Sequence, residues 1–241
     1  MQALNHFQEY GKNDGEFEVL TLFSGDLLAP STLSTMFHGE QMVVPFNRMD
    51  VDVACIGNHD LDFGVTQMMK CLEQTMHPHG KCEWIISNLV EKGKADEHKT
   101  IGGLKRYTVV DRCGIKIGII GIAEKQWVDT FKELEVEVEY LNYKRQAEEI
   151  ARKLREEHDC QLIIALTHMR LHHDTKFATE CPAIDIVLGG HDHFYKSTAI
   201  TQKIKREEWR PASQEQKIVP LIKSGTDFQE FSEINITFDT D

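Results

Sequence analysis

Four short strings in this chain set oxygen and nitrogen donors close together: Ser24-Gly25-Asp26, Gly57-Asn58-His59-Asp60, Thr167-His168-Met169-Arg170 and Gly189-Gly190-His191-Asp192-His193. Carboxylate, amide oxygen and imidazole nitrogen together suit a hard-to-borderline divalent cation such as zinc, manganese or iron. A carboxylate such as Asp26 can bridge two ions, and glycines beside the donors permit tight turns and close backbone approach. Taken singly, each string is weak. An aspartate after a strand is usually a cap or turn residue, and most histidines are packed or solvated. An asparagine directly before a histidine at a strand end has fewer structural uses, and the ordered set of four is far more specific than any member.

Each string follows a stretch that reads as a strand. In open α/β sheets ligands collect beyond the carboxyl ends of the strands, so four such ends could bring these side chains together. Residues 17–23, 51–56, 84–86, 161–166 and 184–188 are the strand-like runs. Residues 107–122 read as a hairpin turning at 111–114. Residues 217–224 and 231–238 read as a closing β pair. Helical spacing covers 34–49, 65–76 and 142–158, the last with Asn142 as N-cap; a further helix is expected around Asn5-His6. Polar stretches at 91–103 and 203–216 read as surface loops, as does His77-Pro78-His79. Strands alternating with helices give an α/β class, and no linker or repeat divides the chain, so residues 1–241 are expected to form one domain.

The bulk numbers exclude other classes. With 241 residues, 41% hydrophobic and 27% charged, the chain is ordinary globular material with room for one large core. The net charge of -12 argues against a general nucleic-acid binder, although bound cations can reverse the local sign at a site. No apolar run reaches the roughly 18–20 residues of a membrane span. The polar start, Met1 to Asn13, has no signal-peptide core, so the chain as given reads as cytoplasmic. No two of the six cysteines form a CxxC, and reduced buried thiols are expected. Asn235-Ile236-Thr237 is a formal glycosylation sequon, but it falls in an expected strand. Nothing in the sequence bears on oligomeric state.

The order Gly-Asp, Gly-Asn-His-Asp, His, Gly-His-x-His is similar to that of the calcineurin-like metallophosphoesterases. The longer strings LTLFSGDLLAPS (20–31), GNHDLDFG (57–64), THMR (167–170), GGHDH (189–193) and KSGTDF (223–228) resemble the 5′-nucleotidase branch. The resemblance runs over 17–238. It implies a four-layer α/β/β/α sandwich of two mixed sheets flanked by helices. It also implies hydrolysis of phosphate monoesters, 5′-nucleotidase-like, by a metal-activated water attacking phosphorus, with a small phosphate ester such as a nucleotide as substrate. On that pattern Asp26 resembles the bridging carboxylate, and Asn58, His168 and His191 the other ligands of one metal. His193 resembles a ligand of a second metal. His59 resembles the catalytic histidine and Asp62 the carboxylate that orients it. Asp60 and Asp192 are open between orienting a ligand and serving a turn. Arg170 is open between a phosphate contact and a salt bridge, and His172 and His173 are expected in a solvated loop.

One element of the family pattern is not found: an Asp-x-His at the end of a first strand, which would supply the second metal. Only 25 residues precede Asp26, and none forms that motif. The expectation is a truncated enzyme, with export then open; the alternative is a one-metal or degenerate member. Either way one metal is expected, held by Asp26, Asn58, His168 and His191, with His193 short of partners. A C-terminal specificity domain is likewise not expected within these residues. The competing functions are a phosphodiesterase or other phosphoesterase, and a non-catalytic metal-binding module.

Overall fold

The computed structural model describes residues 17–77, 80–93, 99–131, 134–203 and 216–238. Its strands are β1 (Leu22–Phe23), β2 (Val53–Cys55), β3 (Met76–His77), β4 (Gly80–Lys81), β5 (Glu83–Ile85), β6 (Leu89–Glu91), β7 (Tyr107–Arg112), β8 (Ile115–Ala123), β9 (Val138–Tyr140), β10 (Leu162–His168), β11 (Ile186–Gly189), β12 (Tyr195–Lys203) and β13 (Gln216–Ser224). The α-helices are α1 (Thr32–Phe37), α2 (Val43–Asn47), α3 (Gly64–Leu72), α4 (Gln126–Thr130), α5 (Tyr143–Glu156) and α6 (Leu171–Glu180).

Six strands form one sheet in the order β12-β13-β11-β10-β8-β7. Its four inner strands run parallel and its two edges antiparallel. A parallel sheet, β1-β2-β5, lies against it. Strand alternation sorts the side chains into layers. Val53, Cys55 and Ile85 of the small sheet pack against Ile117, Ile119, Leu162, Ile164, Leu166 and Ile186 of the large one. The opposite face of the large sheet, including Ile163, Ala165 and Val187, meets Ala147, Ile150 and Leu154 of α5 and Phe177 of α6. The outer face of the small sheet, with Ala54 and Trp84, meets Phe46 of α2 and Met68 and Leu72 of α3. Helix, sheet, sheet and helix therefore form four layers.

The local signals explain where elements start and stop. Asn142 accepts the amide of Arg145 at 3.1 Å and opens α5, as its position before the amphipathic run predicts. The 111–114 turn joins β7 to β8. The helix expected over 34–49 is broken, because His38 and Gly39 adopt φ of 50° and 89° and end α1.

Other expectations are corrected. The 17–23 strand shrinks to β1. Strand β13 pairs with β12, not with 231–238, which forms no strand and leaves Phe231, Ile234, Ile236 and Phe238 exposed. Asn235 is thus exposed and outside any strand. Residues 171–180 are helical rather than a solvated loop. His77 ends β3; Pro78, His79, Asn5, His6, residues 94–98 and most of the 203–216 loop lie outside the described residues. All six cysteines are unpaired, five of them buried and Cys113 exposed in the hairpin turn. No helix among the described residues is long and apolar enough to cross a membrane.

Candidate metal centre

The loops after β1, β2, β10 and β11 meet at the carboxyl ends of their strands. Donor atoms of Asp26, His168 and His191 all lie within 4.8 Å of one another. The chain tolerates this convergence only with little side-chain bulk between the donors. A Cβ on Gly25, whose φ is 90°, would lie 2.6 Å from the Gly57 amide nitrogen, and one on Gly190 would run into the Ser24 carbonyl. Two of the donors themselves sit in left-handed backbone, Asp26 at φ 61° and His191 at φ 70°. Such conformations cost about 1–3 kcal/mol each and persist where the surroundings over-determine them.

The surroundings here do so. The buried carboxylate of Asp60 accepts the amides of Gly57 (2.7 Å), Asp26 (3.0 Å), Leu27 (2.8 Å) and Leu28 (2.9 Å). One side chain thus ties the loop after β1 to the loop after β2. Burial and the neighbouring Asp26 carboxylate push its pKa up to about 6, while the Gly57 and Leu28 amides pull the other way. Asp26 in turn accepts the His59 amide at 2.8 Å on Oδ1.

His168 is oriented by its main-chain neighbour. Its Nδ1 donates to the Ser24 carbonyl at 2.6 Å, which leaves Nε2 facing Asp26 Oδ2 at 2.9 Å. That contact is close enough for an ion pair, yet Nε2 makes no hydrogen bond. Burial works against a charged His168, but the Asp26 carboxylate prevails and holds the imidazole above its ordinary value. Burial likewise works against ionised Asp26, and His168 keeps it below the usual carboxylate range. Asn58 adds a side-chain oxygen, Oδ1, that is buried without a hydrogen-bond partner. A carboxylate and an imidazole nitrogen pressed together, with an orphaned amide oxygen in the next loop, fit a divalent cation. Metal would take the place of the proton that charges His168 in the metal-free pair.

His59 and Asp62 stand apart in character. His59 Nδ1 meets Asp62 Oδ2 at 2.9 Å, and both side chains are more than a third exposed. His193 is exposed and lies outside the three-donor cluster. Asp192 accepts the Leu171 amide at 2.6 Å and lies 3.1 Å from Lys223. It therefore secures the start of α6.

Several residues at the site are missed by the sequence reading. Lys223, fully buried, places Nζ 2.8 Å from the Met169 carbonyl, 2.6 Å from that of Gly190 and 2.6 Å from Asp174. Glu124, 2% exposed, follows β8 directly. Its Oε2 accepts the Arg170 amide at 3.0 Å and meets His173 Nδ1 at 2.6 Å. Its Oε1 accepts Arg170 Nε at 2.8 Å and lies 3.9 Å from His191 Nε2. Burial would raise the Glu124 carboxyl, but the Arg170 amide, His173 and the Arg170 guanidinium hold it below its ordinary value. The Arg170 side chain is therefore salt-bridged, and His173 is half-buried against the same carboxylate. The available signals were a glutamate at a strand's carboxyl end and a lysine inside an apolar strand. A cavity of about 170 Å³ opens beside the cluster, lined by Asn58, His191, Glu124, Gln126, Trp127, Thr130 and Arg170.

No family model matches the chain. Protein 5NUC of Lutzomyia longipalpis is 26% identical over 183 residues, 75% of this chain and 30% of that protein. The snake venom 5′-nucleotidase of Gloydius brevicauda is 25% identical over 182 residues, again 75% of this chain and 29% of that protein. The chain thus spans less than a third of the length of these relatives. Among solved structures, Haemophilus influenzae NAD nucleotidase superposes with a TM-score of 0.70 at 20% identity, covering 90% of this chain and 42% of that one. The structural likeness carries the fold, and the four-layer sandwich expected from the motifs is the fold found.

Proposed function

We propose that this chain, whose homologues are 5′-nucleotidases and calcineurin-like phosphoesterases, is a metal-dependent hydrolase of phosphate monoesters with nucleotides among its substrates. The observation that carries the reading is the convergence of Asp26, His168 and His191 donor atoms within 4.8 Å of one another, with Asn58, whose side-chain oxygen is buried and unpaired, lining the same cavity as His191. These four residues would hold one divalent metal, and residues 1–241 would form the single domain that builds its site. When bound, the metal supplies Lewis-acid stabilisation of phosphoryl charge and an acidified water.

The chain's own residues supply the rest. Asp62 accepts from Nδ1–H of His59 and so favours the imidazolium, whose Nε2–H would meet the ester and hand its proton to the leaving oxygen, leaving the neutral Nδ1–H imidazole. The exposure of this pair suits a group that meets substrate from solvent. A partly exposed histidine backed by a carboxylate, next in sequence to the candidate ligand Asn58, is the feature that favours the hydrolase over the non-catalytic reading. His193, the expected ligand of a second metal, lies outside the three-donor cluster found among the described residues.

Turnover of p-nitrophenyl phosphate and of nucleoside monophosphates with added manganese or zinc tests the reading. His59→Ala should lower kcat by about 10²–10⁴-fold while manganese binding, followed by calorimetry, is retained. A chain that takes up no metal and turns over no ester sinks the proposal. A panel of diesters and monoesters separates the phosphodiesterase alternative.

A further inference from the structure

We propose that Arg170, steered by Glu124, receives an anionic oxygen of the phosphate ester in the cavity beside the metal centre. The inference rests on the phosphoesterase reading and adds a binding residue and a positioning residue to it.

The argument begins with how Arg170 is held. Its main-chain amide already binds Glu124 Oε2, so the loop after β10 is anchored without the side chain. The guanidinium makes a second contact, through Nε to Oε1. Neither terminal nitrogen makes a hydrogen bond among the described residues, and the side chain is 40% exposed. A guanidinium fixed along one edge, with its outer donors free, is arranged to take a phosphate oxygen pair.

Its location fits that task. Glu124 Oε1 serves Arg170 Nε and lies 3.9 Å from His191 Nε2, so one oxygen spans the arginine and a member of the donor cluster. Arg170 shares the cavity wall with Asn58 and His191. The indole N–H of Trp127, another wall residue, is buried without an acceptor. At about 170 Å³ the cavity is close in size to one that holds benzene, roughly 150 Å³. It is below the roughly 300–1,000 Å³ of sites that enclose larger ligands. That volume suits a phosphoryl group, with the rest of a nucleotide lying outside it. Glu124 itself is anchored from behind, because the Asn88 side chain brackets Ala123 with bonds of 2.8 and 2.9 Å to its carbonyl and amide. The strand end that carries the carboxylate is therefore fixed.

The test is calorimetric titration of inorganic phosphate into the intact chain, once loaded with manganese and once treated with EDTA. Arg170→Gln should weaken phosphate binding about tenfold or more, the loss expected for a charge-assisted hydrogen bond. Arg170→Lys should recover part of it. Glu124→Gln should weaken it less, because an amide oxygen still accepts from Nε. The KM for p-nitrophenyl phosphate should rise in step with the phosphate Kd, with kcat changing less. Thermal unfolding of each variant separates lost binding from lost folding. Arg170→Gln with wild-type phosphate affinity overturns the inference, as does a wild-type chain that binds phosphate in neither arm. Failure of the hydrolase reading looks different: no manganese uptake and no turnover. The EDTA arm then still decides for Arg170, since phosphate binding that Arg170→Gln loses upholds the anion site and binding it keeps refutes it.

Discussion

Strand β13 carries a lysine with little solvent exposure near each end, and the two are wired alike but do different work. At its start, Lys217 bonds the carbonyls of Pro182 and Ile184 at 3.0 and 2.5 Å and the Asp185 carboxylate at 2.6 Å. Asp185 also binds Arg155 at 2.6 Å. These groups are 10–24% exposed and lie beneath the amino ends of the parallel strands. At the other end, Lys223 has four oxygens within 3.1 Å and no exposure at all. Two of those oxygens are carbonyls of the loops that carry His168 and His191. A cation that draws backbone carbonyls together is a clasp in both places. Only the clasp at the carboxyl ends also sets the spacing of candidate ligands.

The largest expected effect tests that difference directly. Lys223→Met strands Asp174 and Asp192 and should cost about 3–5 kcal/mol in urea unfolding. It should also weaken manganese binding by about 10–100-fold, as loss of support behind metal ligands does. Lys217→Met should cost about 1–3 kcal/mol with manganese affinity unchanged. Equal loss of metal affinity in the two variants would dissolve the contrast. Next is Asp60→Ala, which removes the acceptor of four amides. A cost of about 1–3 kcal/mol is expected, with weaker manganese binding, and Asp60→Asn should be milder in both measurements.

The pH response sharpens the comparison further. Burial opposes the charge on His168, but Asp26 outweighs it and raises the pKa above 6.5. The imidazolium–carboxylate contact therefore stabilises the metal-free fold fully below that ordinary value and is lost as pH rises through the raised one. Asp26 is held below 3.8, so its share survives until pH falls through its lowered value. EDTA-treated protein should melt higher at pH 6 than at pH 8, while manganese affinity rises over the same interval as the competing proton leaves. A flat metal-free melting profile across that range would contradict the pairing. The smallest effect belongs far from the centre: Asn142→Ala should cost about 1 kcal/mol through the lost cap, with no change in metal binding.

Much of the framework was legible because it is local. Asn142 before an amphipathic run, the 111–114 turn and the glycine-flanked donors each announce themselves within a few residues. What was missed depends on distant partners. Residues 231–238 alternate like a strand, but alternation does not name a neighbour, and β12, polar along much of its length, takes the place beside β13. Helix α6 reads as solvated because His172 and His173 are polar; nothing nearby in sequence shows that His173 meets Glu124, which follows β8. The same holds for Asp60. Its position in the Gly-Asn-His-Asp string marks it as interesting, but its role is written in amides more than 30 residues earlier.

The left-handed backbone at Asp26 and His191 has a consequence for anyone who would re-engineer the centre. Donor exchange at these two positions has a narrow alphabet, because asparagine, aspartate, histidine and glycine enter that region readily while β-branched and bulky residues do not. Converting the chain to a different metal preference by swapping side chains there would first run into torsion angles rather than coordination chemistry. Asn58, whose chain direction carries no such restriction, is the place where a ligand library has room to vary.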